Sequence, residues 1–201
     1  MFIDRTSTRP YERAIRTQKL LQAKTLTIRG IRDTYVMVWL CMTTREVIAS
    51  EATLHPDSAW IAKQGDLFVD RTASRDEKPD IVMHDKDAKF TKEFTAKLKE
   101  RGLRTNSLPK ASPNLNGRCE RIIGTIKWEC LSRFIVFGKR HLDYLLSEFV
   151  EYYNTTRSSM VRDHLPPIRE EPNEVASLRL DEVEITSHVG GLVKSFARKA
   201  A

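Results

Sequence analysis

Asp80-Ile81-Val82-Met83-His84-Asp85 is a short apolar run between two carboxylates, and its reading decides the fold. It follows the loop-closing pair Lys78-Pro79 and is too short for a typical helix, so it reads as a strand that stops at Asp85. Working outward, Phe90, Phe94 and Leu98 recur at i, i+4 and i+8 and Gly102 follows, which predicts a helix and its end. Leu103 to Leu108 is again short and extended. Upstream, Thr34 to Met42 is rich in β-branched and aromatic residues and predicts a buried strand. The polar turn Thr43 to Glu46 joins it to an extended Val47 to Leu54, so the two resemble a hairpin. Asp57 or Ser58 caps a helix that begins near Ala59, carries Trp60, Ile61, Leu67 and Phe68, and ends between Arg71 and Ser74.

Beyond the second strand, Ser112-Pro113-Asn114-Leu115-Asn116-Gly117 is turn chemistry. Cys119 to Phe134 and Leu142 to Tyr153 read as helices, and Pro166, Pro167 and Pro172 mark a linker with six acids up to Glu184. Ser187 to Ala201 is a short hydrophobic appendage with a basic end. Strands alternating with helices after a hairpin describe an α/β domain with a mixed sheet flanked by helices.

The net charge of +7 is concentrated. Residues 1 to 32 hold eight Lys/Arg against Asp4 and Glu12, and residues 86 to 139 hold thirteen against five acids. Such a distribution suits a polyanion, because neutralised phosphates release counterions, and it suits a solvated basic surface as well. Cys41, Cys119 and Cys130 form no CxxC pair, so reduced buried thiols are expected rather than a disulfide framework or zinc knuckle. No apolar run approaches the roughly 20 residues that span a bilayer, so no membrane partner is expected.

Asp85, at a strand's carboxyl edge, is followed 35 positions later by Glu120 at the start of a helix. Lys127 lies seven residues beyond Glu120, which on an α-helix returns to within about 20° of the same face. Two carboxylates brought together this way can share a pair of Mg²⁺ ions at a phosphodiester, with Lys127 meeting a phosphate as a point charge. Read alone, the same residues serve equally as solvated acids and a solvated lysine.

The stretch His84-Asp85-Lys86-Asp87-Ala88-Lys89-Phe90-Thr91 resembles the second-aspartate motif of insertion-sequence transposases with an integrase catalytic core. Ser112 to Arg121, continuing through Gly124-Thr125-Ile126-Lys127-Trp128-Glu129-Cys130-Leu131, resembles the loop and helix that carry their glutamate. Similarity continues through Leu54-His55-Pro56, His141-Leu142, Glu151-Tyr152-Tyr153-Asn154 and Gly190-Gly191-Leu192, covering about residues 25 to 200.

The resemblance implies an RNase H-like core over residues 25–165, preceded by a divergent segment 1–24 with a degenerate first strand and followed by a linker and appendage over 166–201. It implies Asp85 and Glu120 as catalytic metal ligands for two Mg²⁺ or Mn²⁺ ions. Lys127, Arg118, Arg121, Asn114, Asn116 and Lys89 become DNA contacts, with Arg118 and Arg121 able instead to balance Glu120. DNA, as transposon ends and target, is the implied partner, with a homo-oligomer for synapsis and a cytoplasmic, nucleoid-associated location. His84, Trp60 and Trp128 are expected to pack, Asp87 to be a turn acid, and Asn154 to hydrogen-bond within the core.

The family's first carboxylate should precede Lys24-Thr25-Leu26-Thr27-Ile28-Arg29-Gly30, and counting back places it near Lys19, where there is no acid. Asp4 and Asp33 are the nearest aspartates upstream of the first clear strand, and Asp33, in an expected Gly30 to Asp33 turn, would have to reach the strand ends. A truncated or frame-disrupted element would account for that loss and for the lack of upstream DNA-binding helices. Three activities follow as expectations: a metal-dependent transposase that nicks and joins DNA, an inactive DNA-binding derivative, or a plain nuclease on the same core, which would need more carboxylates near Asp85.

Overall fold

The computed structural model describes residues 15–73, 79–84, 90–107, 113–160, 164–168 and 179–199. Strand β1 (Ile15–Thr27) alternates in burial, with Leu21, Ala23 and Thr25 inside and Gln22, Lys24 and Leu26 outside. The first strand is therefore regular in backbone, and the expected division between residues 24 and 25 falls within it. Its polar residues hid the pattern, because Arg16, Thr17 and Gln18 are all buried. Gly30 to Asp33, expected as a turn, instead opens β2 (Gly30–Cys41). The chain reverses at Ile28 and Arg29, where the Thr27 hydroxyl donates to the Gly30 carbonyl at 2.8 Å and accepts the Arg29 N–H at 3.2 Å.

The sheet runs β3-β2-β1-β4-β5, with β3 at Val47–Ala49, β4 at Ile81–His84 and β5 at Arg104–Ser107. Antiparallel pairs join β1 to β2 and β2 to β3, and parallel pairs join β1 to β4 and β4 to β5. This mixed order is that of the RNase H-like core expected from the sequence.

On one face, helices α1 (Ser58–Thr72) and α2 (Lys92–Glu100) cover Met37, Trp39, Ile48 and Val82 with Ile61, Phe68, Phe94 and Leu98. Asp57 caps α1 by accepting the Trp60 N–H at 2.7 Å, as the sequence indicated. Gly65 allows α1 close to α2, since a Cβ there would stand 3.0 Å from the Phe94 ring. On the other face, α3 (Pro113–Thr125) and α4 (Gly138–Thr155) bury Leu21, Val36, Val38 and Leu40 under Ile122, Ile126, Leu145 and Phe149. Each such fully buried side chain contributes about 1.5–3 kcal/mol, so the alternation of β2 between the faces ties both layers to one strand.

Two expectations about α3 need correction. Helix begins at Pro113, inside the expected Ser112 to Gly117 turn, because proline in a first helical turn forfeits no hydrogen bond. Nor does one helix run to Phe134: a π turn, Ile126–Cys130, and a 3-10 turn, Leu131–Arg133, follow Thr125. The widened turn is tied down by Arg157, which donates to both carboxylate oxygens of Glu129 at 2.8 and 3.0 Å. Trp128, expected to pack, is 72% exposed, whereas Trp60 packs against the core as expected.

The appendage is a hairpin of β6 (Val183–His188) and β7 (Val193–Arg198). It is anchored by fully buried Val189 in the α4-side core and by His188, whose ring lies 5.1 Å from that of Tyr152.

Edge strand β3 is closed by side chains. The Asn154 amide accepts the Val47 N–H at 2.9 Å and donates to the Val47 carbonyl at 2.8 Å, Arg71 donates to the Ala49 carbonyl, and Asp143 accepts the Ala52 N–H. The expected core hydrogen bond of Asn154 is thus a two-point clamp. Asn154→Ala leaves a buried N–H and carbonyl unmet and is expected to cost about 1–3 kcal/mol in urea unfolding.

All three cysteines are buried and free. Burial pushes the Cys119 thiol up to about 12 and Cys130 up to about 11. A raised thiol pKa means the fold is unaffected below the unfolded value near 8.5 and loses stability as pH rises from there through the folded values. Unfolding free energies from urea titrations should therefore be flat in this respect from pH 6 to 8 and fall above pH 9, by up to about 1.4 kcal/mol per pH unit for each thiol. Cys119→Ala should flatten the fall.

Candidate active site

β1 and β4 run parallel with Gln18 opposite His84, and β4 ends there. Asp85, Asp87 and Lys89 follow β4 and lie outside the described residues, as does Asp4. β1 continues, and the next residue along it is Lys19. Alternation turns Lys19 toward the face covered by α3, where its Nζ stands 2.6 Å from Glu120 Oε1. The position that lacks the expected acid is thus in direct contact with the motif glutamate, through an ammonium. The pair is open to solvent, with 30% and 55% of the two side chains exposed, so by itself it contributes no more than about 1 kcal/mol.

His84 is buried and lies with its ring 5.3 Å from Phe90 and 6.0 Å from Phe94, so it packs as expected. Beside it in the register, Gln18 is fully buried with neither amide atom hydrogen-bonded.

Lys127 is exposed in the π turn that follows α3. It lines a cleft of about 460 Å³ with Gln22, Lys24, Asp33, Leu131 and Phe134. The seven-residue step from Glu120 to Lys127 tracks β1 from Lys19 to Lys24, so α3 and the π turn after it follow that strand. Asp33 pairs with Lys24 at 3.0 Å, and hydrogen bonds from Lys24 and Gln22 hold its carboxyl below the usual range. It faces Lys24, five residues or about 17 Å along β1 from Lys19, and so does not supply the missing acid.

Arg118 and Arg121 are exposed on α3 on either side of Glu120, and Arg118 Nη1 lies 3.5 Å from the Met42 carbonyl. Among the described residues neither pairs with Glu120, whose partner is Lys19. Asn114 and Asn116 belong to the first turns of α3 rather than to a loop. Sequence reasoning overlooked Arg45, in the turn between β2 and β3, whose charge interacts with both Arg118 and Arg121. Only its position in a turn otherwise free of basic residues set it apart.

A divalent ion needs several anionic oxygens at one point. Among the described residues no three acids, histidines or cysteines converge, and the Glu120 carboxylate already faces an ammonium. The described donors do not fit a divalent-cation centre.

Residues 101–167 match the integrase core domain family. No curated protein matches the chain. Among solved structures, a chain of the simian T-cell lymphotropic virus intasome in complex with PP2A regulatory subunit B56 gamma is similar at TM-score 0.58 and 14% identity, over 86% of this chain and 62% of that one. The HTLV-2 integrase catalytic core domain in complex with magnesium, in a dimeric form, is similar at TM-score 0.57 and 15% identity, over 73% and 90%. The BIV integrase catalytic core domain follows at TM-score 0.55 and 14% identity, over 77% and 91%. At these identities the structures share a fold, and the family match falls on the stretch that carries Glu120 and Lys127. Residues 101–167, a third of the chain, are thus similar to the integrase core domain family, and the chain shares its RNase H-like fold with retroviral integrase catalytic cores.

Proposed function

We propose that this chain is a DNA-binding integrase-type core that holds duplex DNA without cutting it. The contact of Lys19 with Glu120 carries the reading. Breaking that exposed pair costs little, so the pair alone would not keep a cation out. What opposes a cation is the fixed position of the lysine on β1. A dication about 4 Å from an ammonium is repelled by about 2–8 kcal/mol for effective dielectric constants between 80 and 20, and it also lacks the carboxylate the position would otherwise supply. DNA binding draws support from the family match and from basic residues exposed on α3 and the π turn after it, namely Arg118, Arg121 and Lys127. Their neutralisation of phosphates supplies sequence-independent affinity, with a Kd of about 10⁻⁴–10⁻⁶ M at physiological salt that weakens steeply as salt rises.

The competing reading is a transposase in which Asp85 and Glu120 hold the ions after Lys19 swings aside. The exposure of Glu120 favours it. Incubating the protein with a labelled duplex and Mg²⁺ or Mn²⁺ separates the two. Binding without nicking is the expected result, and nicking that disappears in Asp85→Ala would overturn it. Lys19→Asp restores an acid opposite Glu120 and should raise Mn²⁺ affinity at least about tenfold by calorimetry, a change of about 1.4 kcal/mol. An unchanged affinity would mean that Lys19 does not occupy the position of the missing ligand.

A further inference from the structure

The chain has three tryptophans, and two of them belong to the core. Trp39 is buried and stacked on Phe68 with ring centroids 5.1 Å apart, and Trp60 packs against the same layer. Trp128 does neither. It stands exposed in the π turn, and among the described residues no aromatic ring or guanidinium lies on its indole.

The register of the π turn puts it there. Ile126 and Cys130, one wide turn apart, are both buried, so Trp128 midway between them points away from the core. The Leu131 N–H donates to the Ile126 carbonyl, the i to i+5 bond of a π turn, and the Ser132 hydroxyl donates to the Trp128 carbonyl at 2.6 Å. Such turns are rare and recur at functional sites. Around the ring the surface is basic rather than apolar. Lys127 beside it is exposed, as is Arg121 about two turns earlier on the same outer side of α3. The adjacent acid, Glu129, is taken by the Arg157 fork. Gly124, Thr125 and Ser132, its neighbours one turn away, are small or polar, and the space where a Gly124 side chain would stand is open. A face made for a protein partner would spread over adjoining apolar side chains, whereas here one flat ring stands among cations.

We propose that Trp128 is a base-stacking platform, and that this surface takes DNA carrying an unpaired stretch, with one base on the indole and Lys127 at an adjacent phosphate. Within a duplex the base faces are already stacked on one another, so an indole finds a free face at an unpaired nucleotide. Aromatic rings beside a cationic track hold single strands in this way, and the contact tolerates any sequence because every base has a π face. The choice of DNA as the ligand rests on the function proposed above; the preference for unpaired nucleotides goes beyond it.

Fluorescence anisotropy of the whole chain with a labelled blunt duplex, and with the same duplex bearing a single-stranded extension, tests it alongside tryptophan emission. The extended duplex should bind more tightly than the blunt one. Trp128→Ala should weaken the extended duplex about 5- to 150-fold, the loss of one stacked base, and the blunt duplex less, whereas Trp128→Phe should keep most of the preference. Because Trp39 is buried and Trp60 half-buried, acrylamide quenching reports chiefly on Trp128, and the extended duplex should shield it. Equal binding of the two duplexes without shielding, with Lys127→Ala still weakening both, would overturn the platform and leave the DNA-binding function standing. Binding and shielding by the extended duplex, with no binding of the blunt one, would keep the platform and overturn the duplex reading. No binding of either would overturn both. Trp128→Ala that melts lower and weakens the two duplexes equally would make the ring structural, and shielding that grows with protein concentration without DNA would make it a contact between copies; either result ends the proposal.

Discussion

Everything in this fold hangs on β1, among the described residues the one strand with an antiparallel neighbour on one side and a parallel neighbour on the other. A strand in that position has its two faces committed. One set of alternate residues must enter the layer under α3 and α4, and the other must face α1 and α2, so sliding β1 by one residue would exchange every side chain between layers. That constraint fixes Lys19 opposite Val38 and beneath α3, and it fixes Gln18 beside His84. The chemistry of the site then follows from which residue stands at a single register position.

Two kinds of basic residue emerge from this arrangement. Some, such as Lys19, Lys24 and Arg157, have an acid in reach and act locally within the protein. Others, such as Arg118, Arg121 and Lys127, stand exposed on α3 and the π turn after it, with no described acid to answer them. Net charge reports the sum of both kinds, but only the second kind contributes a field that reaches a partner. The structure therefore narrows a diffuse positive composition to one helix and the turn beside it.

Much of the architecture was legible because short apolar runs and capping residues are local signals: Asp57 at the start of α1, the Phe94 and Leu98 stripe of α2, and the strand ending at His84. β1 was harder to see because its buried positions include Arg16, Thr17 and Gln18, which read as surface residues in isolation. Their burial comes from β2 and β4, far away in sequence. Asp33 misled for a similar reason, since its place on a strand depends on a reversal at Ile28 and Arg29 that carries no strong turn residue besides Gly30. Within the site, the family motif identified Glu120 and Lys127 and the count to Lys19, but a linear count contains no information on contact. That Lys19 touches Glu120, and that Lys127 lies instead over Gln22 and Lys24, are consequences of helix direction across the sheet. Arg45 lies more than 70 positions before Arg118 and Arg121 and belongs to no motif.

The clamp that Asn154, Arg71 and Asp143 place on β3 has a consequence for how such a core associates with anything. An open sheet margin invites another chain to continue the ladder, which is the usual route to fibres and swapped dimers. Here one margin is already answered by side chains, and at the opposite margin β5 offers Arg104-Thr105-Asn106-Ser107, a polar strand with a charge at its head. With both margins unreceptive, association falls to the helices and turns. A surface restricted in that way can be recut by substitution on α3 or α4 without exposing the protein to polymerisation through its sheet.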